Sequence, residues 1–140
     1  MRFFASLFRR EPAHIEAGRW GEEQAARYLR AKGWKVLARR LRVGRRDELD
    51  LVARADRVLV FVEVKTRRSE EYGRPGAAVG AAKRRNLARA ARQYLRRVSE
   101  KPEYFRFDVV EVIGRPDGPA PTIRHIEQAF TMSARYRWPW

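Results

Sequence analysis

Four charged residues on two neighbouring predicted strands have the types and spacing of a metal-dependent hydrolytic site. Glu48 and Asp50 alternate with apolar residues in one segment, and Glu63 and Lys65 do so in the next. Alternation with a period of two predicts strands, in which side chains two positions apart share one face of the sheet. Each strand therefore presents two charged side chains on the same face.

A tight turn centred on residues 56–57 would join these strands as a hairpin. In that register Asp50 faces Glu63, and Glu48 faces Lys65. Opposed side chains on one face have Cβ atoms about 4.5–5.5 Å apart, and like charges at that separation are destabilising. The opposed carboxylates therefore predict a cation between them.

Magnesium is the cation that best suits this donor set, and manganese is expected to substitute for it. Mg²⁺ prefers oxygen ligands and keeps several waters, so Asp50 and Glu63 suffice, with the backbone carbonyl of Val64 as a further ligand. A metal in such a site can activate water and polarise a phosphoryl oxygen. Lys65 would then hold the attacking water or stabilise charge on the scissile phosphate, and it could act as a general base only if burial lowered its pKa.

Two acidic residues besides Asp50 and Glu63 are candidates for the same site. Glu48 would be either a further ligand or the partner that orients Lys65. Glu22 falls on the apolar stripe of a helix predicted from about residue 15 to residue 32 and ended by Gly33. It either completes the site from the helix or lies at the edge of the stripe and meets an arginine.

The competing interpretation of the hairpin is a structural ladder of salt bridges. In that ladder Glu48 pairs with Lys65, and arginines neutralise the other carboxylates. It leaves Asp50 opposite Glu63 without a close cation, so the metal site is the favoured hypothesis.

Composition limits the classes of partner. The 140 residues include 32 basic and 17 acidic ones, for a net charge of +15, which favours polyanions and above all nucleic acid. Because 27 of the 32 cations are arginine, a GC-rich genome or thermal adaptation is an alternative origin of the charge. The absence of cysteine excludes disulfides and thiolate metal sites. No apolar run approaches the roughly 20 residues that span a bilayer, so we expect a cytoplasmic protein with no membrane partner.

The remaining pattern predicts one α/β domain over residues 15–130, between tails at 1–14 and 131–140. Its order of helix, three strands, helix and two strands indicates a central mixed sheet flanked by helices. Beyond the first helix, the predicted elements are strands at 34–41, 48–55 and 58–65, a loop at 67–76, a helix at 77–98, and strands at 105–113 and 122–126.

Basic and aromatic residues near the predicted site are candidates for contacting nucleic acid. All of them lie in the second predicted helix or in and beside the loop before it, where their charges or rings could contact phosphates or bases. For the arginines of the helix, the competing interpretation is an ordinary solvent-exposed face with no ligand. Arg106 and Asp108 are expected to pair with each other, and His14 and His125 receive no role. The nucleic-acid candidates are Arg67, Tyr72, Lys83, Arg85, Arg89, Arg92 and Arg96.

A set of motifs in a fixed order resembles the YraN-type family of small bacterial proteins. The resemblance covers about residues 18–130. The motifs are Gly21-Glu22-x-x-Ala25, Glu48-Leu49-Asp50-Leu51-Val52, Phe61-Val62-Glu63-Val64-Lys65-x-Arg67, Tyr72-Gly73-x-Pro75, Lys83 and Arg106-Phe107-Asp108-Val109-Val110.

That family looks like a branch of the PD-(D/E)xK nuclease superfamily, related in fold to the archaeal Holliday junction resolvases. The resemblance implies a restriction-endonuclease-like core in which Asp50 is the motif aspartate and Glu63 and Lys65 form the Glu-x-Lys. Glu22 and Glu48 match acidic positions that recur in the family, whereas Asp47 stands where the family usually has glycine.

Together these features predict a magnesium-dependent endonuclease that hydrolyses DNA, with branched or single-stranded repair and recombination intermediates as expected substrates. A homodimer would suit a junction-cutting enzyme. The alternatives are a nucleic-acid-binding module that keeps the nuclease fold without catalysis, and a scaffold whose basic face meets an acidic protein or a membrane.

Overall fold

The computed structural model describes residues 13–69 and 79–132 and has the predicted α/β architecture, a five-stranded mixed sheet flanked by two helices. This arrangement is consistent with a restriction-endonuclease-like core. The elements in chain order are α1 (Ala13–Ala31), β1 (Lys35–Val43), β2 (Asp47–Ala55), β3 (Val58–Arg67), α2 (Ala81–Arg97), β4 (Tyr104–Ile113) and β5 (Thr122–Phe130).

The sheet order follows the chain, β1-β2-β3-β4-β5, and only the β3–β4 pair is parallel among the described strands. Parallel neighbours need a crossover connection, and α2 supplies it. The two helices pack on opposite faces of the sheet, each over its own apolar cluster. One cluster joins α2 to Val52, Phe61 and Phe107, and the other joins α1 to Leu51, Val62 and Val110.

The predicted hairpin register is confirmed where β2 and β3 pair. The pairing runs from Ala55↔Val58 to Leu51↔Val62 around the turn at residues 56–57. It ends there, one step before Asp50 and Glu63, so the strands diverge at the candidate site. The prediction that Glu48 faces Lys65 in the ladder is therefore wrong: Glu48 is exposed and pairs across from Arg42 of β1.

Helix α1 and strand β3 are in close contact at one glycine, Gly21. A Cβ atom at Gly21 would fall 1.9 Å from the Thr66 hydroxyl oxygen on β3, so no larger residue fits without movement. The neighbouring residue, Glu22, lines the same cleft as Asp50 and Glu63. The helix begins at Ala13, two residues before the predicted start, and Gly33 follows it with φ +88°, as predicted for its C-terminal glycine.

In the second half of the chain, one helix and one strand have different bounds from those predicted. Helix α2 runs from Ala81 rather than from residue 77, and β5 continues to Phe130 rather than ending near residue 126. The predicted loop contact Tyr72 lies outside the described residues. The apolar face of α2 is as expected, with Leu87, Ala90, Ala91 and Leu95 buried.

None of the described helices combines the length and the apolar character needed to cross a bilayer.

Candidate active site

Asp50 occupies the point where β2 and β3 separate. Its Oδ2 accepts a hydrogen bond of 2.9 Å from the backbone amide of Val64, which ties the two strands together beyond the end of their ladder. Across the sheet, Arg40 lies between the β1 residues paired with Leu51 and Leu49, and it has φ +47°, a conformation that non-glycine residues seldom adopt. Within the described residues no salt bridge to Asp50 is formed.

The electrostatics of Asp50 differ from those of an ordinary surface aspartate. Burial and the nearby charge of Glu63 raise the pKa of Asp50 to about 7, and the charge of Glu22 adds to this effect. The hydrogen bond from the Val64 amide and the charge of Lys83 act in the opposite direction and lower the pKa. Desolvation and a like charge both disfavour the ionised form, which is the condition that a bound cation relieves.

Glu63 is the second carboxylate of the site. Its Oε1 lies 3.5 Å from the Lys83 ammonium, and the side chain is only 12% exposed. Its other oxygen, Oε2, is buried and has no hydrogen-bond partner. A buried carboxylate oxygen without a partner is costly, so this atom is a vacant acceptor for a cation or a water.

Glu22 meets an arginine and also faces the site. Arg40 donates a hydrogen bond to Glu22 Oε2, as the structural alternative predicted. The Glu22 side chain is nevertheless 14% exposed and lines the same cleft as Asp50 and Glu63. Arg40 therefore holds Glu22 beside the other carboxylates.

The donor set fits Mg²⁺ better than a metal that requires several protein ligands. In residues 13–69 and 79–132, no three or more His, Asp or Glu side chains form a group that could hold an ion together. Mg²⁺ needs only one or two carboxylates because it retains waters and takes substrate phosphate oxygens. Asp50 and the vacant Oε2 of Glu63 meet that requirement, and the carbonyl of Val64 stays a predicted ligand.

Two cavities meet at Asp50. The larger is an open cleft of about 1160 Å³ between α1, β3 and the β4–β5 turn, and it contains Glu22, Asp50 and Glu63. Arg68 and Arg115 also line it. The smaller cavity, about 260 Å³, lies on the α2 side and is lined by Arg46, Asp47, Glu48, Asp50, Lys83, Asn86 and Leu87.

The arginines that line these cavities are not among the predicted contacts. Regular spacing predicts the helical arginines, whereas Arg46, Arg68 and Arg115 lie in loops or at strand ends without any period. Their proximity to Asp50 depends on which strands are neighbours. A linear pattern does not contain that information.

Lys65 lies two residues after Glu63 on β3, half-buried, and does not line either of these two cavities. Its register partner on the parallel strand β4 is Glu111, which is 1% exposed. The Oε2 atom of Glu111 lies 3.9 Å from Arg67 Nε, and its Oε1 atom lies 3.6 Å from the Nη1 atom of Arg124. Lys65 is thus beside a buried carboxylate, in surroundings that suit a cation.

The helical arginines do not form one uniform surface. Arg89 donates two hydrogen bonds, of 2.7 and 2.8 Å, to the buried carboxylate of Asp47, and this bond lowers the pKa of Asp47. Arg92 has a buried Nε atom without a hydrogen-bond partner. Arg85 and Arg96 are exposed, as the nucleic-acid interpretation requires.

A second buried carboxylate lies farther along the sheet. Asp108 of β4 is fully buried, and it accepts hydrogen bonds from Arg106 at 3.0 and 3.1 Å, from His125 at 2.7 Å and from the amide of Gln128 at 3.0 Å. The expected pairing of Arg106 with Asp108 is therefore confirmed. The role of His125 was missed, because nothing in the spacing links it to Asp108.

Comparison with known proteins agrees with the resemblance inferred from the motifs. The profile of the family described as uncharacterised protein family UPF0102 matches residues 21–112, which include the acidic residues and Lys65. A UPF0102 protein of Symbiobacterium thermophilum is 54% identical over 101 residues, 72% of this chain and 85% of its own length. UPF0102 proteins of Syntrophotalea carbinolica and Syntrophomonas wolfei are 49% and 48% identical, over 83% and 82% of this chain and 92% and 97% of theirs. The chain therefore belongs to the UPF0102, or YraN-type, family.

Proposed function

We propose that this protein is a magnesium-dependent endonuclease that hydrolyses phosphodiester bonds of DNA. The observation that carries the proposal is the under-neutralised pair of Asp50 and Glu63, one with a raised pKa and the other with a buried vacant oxygen, at the junction of two cavities. The carboxylates of Asp47 and Asp108, by contrast, have their hydrogen bonds and charges satisfied by arginines and a histidine of the protein. The pair of Asp50 and Glu63 leaves a place for a cation that comes from solution.

The residues of the site divide into ligands, orienting groups and charge stabilisers. Asp50 and Glu63 would hold Mg²⁺ with the Val64 carbonyl, and the bound ion would supply an acidified water and a polarised phosphoryl oxygen. The Val64 amide fixes the orientation of Asp50. We assign Lys65 to stabilising the negative charge that develops on the scissile phosphate.

The substrate class follows from the surroundings of the carboxylates. Arg68 and Arg115 line the larger cleft, and Arg46 and Lys83 line the smaller cavity, so each cavity offers two cations to an anionic group beside its carboxylates. The cleft volume exceeds the roughly 300–1,000 Å³ of pockets for small ligands. An open cleft of that size, with two arginines beside the carboxylates that would hold the metal, suits a nucleic-acid backbone, and branched or single-stranded DNA is the proposed substrate.

The proposal is tested by incubating the full-length protein with labelled duplex, single-stranded, flap and four-way-junction DNA, with Mg²⁺ or Mn²⁺, at low salt. Asp50→Asn is expected to lower the cleavage rate by at least about 10³-fold, because it removes a metal ligand. Lys65→Gln is expected to lower it by about 10²–10³-fold, because it removes a charge that stabilises the transition state.

Asp56→Asn is the matched control for Asp50→Asn. It makes the same chemical change on an exposed turn residue with φ +57°, a conformation that asparagine tolerates. It should cleave at the wild-type rate. Cleavage that persists unchanged in Asp50→Asn would contradict the proposal, and DNA binding without cleavage in any protein would favour the non-catalytic binding module.

A further inference from the structure

Lys83 lies at the site although it comes from a different element than the motif residues. It is the third residue of α2, and its ammonium approaches Glu63 Oε1 at 3.5 Å. It also lines the smaller cavity beside Asp50. Its side chain is 49% exposed, so the long aliphatic stem can change direction without disturbing the core.

The carboxylates around Asp50 are neutralised in two different ways. Glu22 is held by Arg40, and Asp47 is held by Arg89 through two hydrogen bonds. A guanidinium that makes such contacts is pre-organised and exchanges partners reluctantly. The contact between Lys83 and Glu63 is longer, is made by a single point charge and leaves Glu63 Oε2 without a partner.

We propose that Lys83 is an exchangeable countercharge of the site. Without a divalent cation it neutralises Glu63, and when a cation is bound by Asp50 and Glu63 it turns to a phosphate of the nucleic acid in the smaller cavity. This inference rests on the proposed function and identifies the backbone phosphate as the group that Lys83 recognises.

The physical reason is repulsion between cations. A divalent ion bound by Glu63 would share that carboxylate with the Lys83 ammonium, and two cations on one carboxylate oppose each other. Lys83 therefore weakens metal binding in the free protein. Once a phosphate is present, the same ammonium has an anionic partner and ceases to oppose the metal.

The consequence is reciprocal coupling between metal and nucleic acid. If a bound polyanion draws Lys83 away from Glu63, it raises the affinity for the metal, and the metal must raise the affinity for the polyanion by the same factor. A site with this property binds the divalent cation and the nucleic acid more tightly together than it binds either one alone.

The test is calorimetric titration of the full-length protein with Mn²⁺ alone, at low salt, for wild type, Lys83→Gln and Lys83→Arg. Lys83→Gln is expected to bind Mn²⁺ about 3–10-fold more tightly, since the competing charge is gone. Lys83→Arg keeps the charge and is expected to bind no more tightly than wild type. Lys35→Gln removes the same charge from an exposed residue at the start of β1, and its affinity should stay at the wild-type value.

The titrations are then repeated with a short phosphorothioate oligonucleotide that resists hydrolysis. Wild type should gain several-fold in Mn²⁺ affinity, and Lys83→Gln should gain less. The inference is overturned if Lys83→Gln binds Mn²⁺ no more tightly than wild type, or if Lys83→Arg binds it as tightly as Lys83→Gln.

The failure of this inference is distinguishable from failure of the proposed function. Tighter Mn²⁺ binding by Lys83→Gln, with no cleavage of any DNA by wild type, would support the countercharge and reject the nuclease. Cleavage by wild type, with identical Mn²⁺ affinities in all variants, would support the nuclease and reject the countercharge.

Discussion

Asp50 and Asp108 are both aspartates within the sheet, yet their surroundings are opposite. Asp108 is fully buried and accepts hydrogen bonds from Arg106, His125 and the Gln128 amide. Burial raises the pKa of Asp108, but these bonds outweigh it and leave the pKa below its ordinary value. Asp50 has one backbone donor and a second carboxylate nearby, and its pKa rises to about 7.

The difference separates a structural carboxylate from a candidate functional one. A buried charge whose partners come from the chain itself contributes to the fold, and removing it leaves those partners unsatisfied. A buried carboxylate whose charge is left in excess destabilises the protein alone and is stabilised by a ligand from outside. Substitutions at the two aspartates should therefore have opposite effects on stability and activity.

The largest expected change in stability follows Asp108→Ala. Loss of the carboxylate leaves Arg106 and His125 without their shared partner, and breaking a buried ion pair in this way costs about 3–5 kcal/mol of unfolding free energy. Urea unfolding followed by circular dichroism measures this change. An unfolding free energy within 1 kcal/mol of wild type, on the order of a surface substitution, would contradict a structural role.

The second prediction concerns pH. Because the pKa of Asp50 is raised from 3.8 to about 7, the native state holds a proton that the unfolded chain releases in that range. The contribution of Asp50 to the unfolding free energy is therefore present at low pH and is lost as the pH rises from about 4 to about 7, by at most about 1.4 kcal/mol per pH unit.

Asp50→Asn removes this titration, so the difference between wild type and variant isolates it. Urea unfolding across that pH range should show the variant gaining stability relative to wild type as the pH rises. Magnesium binding by wild type should strengthen over the same range, because the ion competes with the proton. If the difference in unfolding free energy between wild type and Asp50→Asn did not change with pH, Asp50 would be ionised throughout this range. Its electrostatic contrast with Asp108 would then be contradicted.

The smallest expected effect concerns Asp47, a satisfied carboxylate three residues before Asp50. A double-mutant cycle of Asp47→Ala and Arg89→Ala should give a coupling energy of about 1–2 kcal/mol, since the two residues share two hydrogen bonds and Asp47 is buried. Urea unfolding of the four proteins supplies this energy. If the two substitutions changed the unfolding free energy additively, the contact between Asp47 and Arg89 would make no contribution of its own to stability.

The sequence predicts the parts of the site that local pattern determines. Alternation of charged and apolar residues is sufficient to predict the β2–β3 register, and Gly33 is sufficient to predict where α1 ends. Asp50 and Glu63 are close because they belong to one hairpin. The divergence of the strands beyond Leu51 is absent from the pattern, and so is the hydrogen bond from the Val64 amide to Asp50 that links the strands there.

Contacts between elements distant in the chain could not be predicted in the same way. The pairing of Glu22 with Arg40 depends on the packing of α1 against the sheet, which Gly21 and Thr66 determine. The approach of Lys83 to Glu63 depends on where α2 begins after β3. Such distances follow from the tertiary arrangement, and the residue spacing alone leaves them open.

The union of Asp50 and Glu63 in a single hairpin has a consequence for the order in which the protein folds. Closing a two-residue turn is fast and costs little chain entropy, whereas the parallel β3–β4 pairing must wait for α2 and its connections. The two carboxylates proposed to bind the metal therefore belong to the most local unit of the molecule. If the proposed metal site is correct, a divalent ion present during synthesis would favour the native register of that hairpin before the second half of the sheet exists.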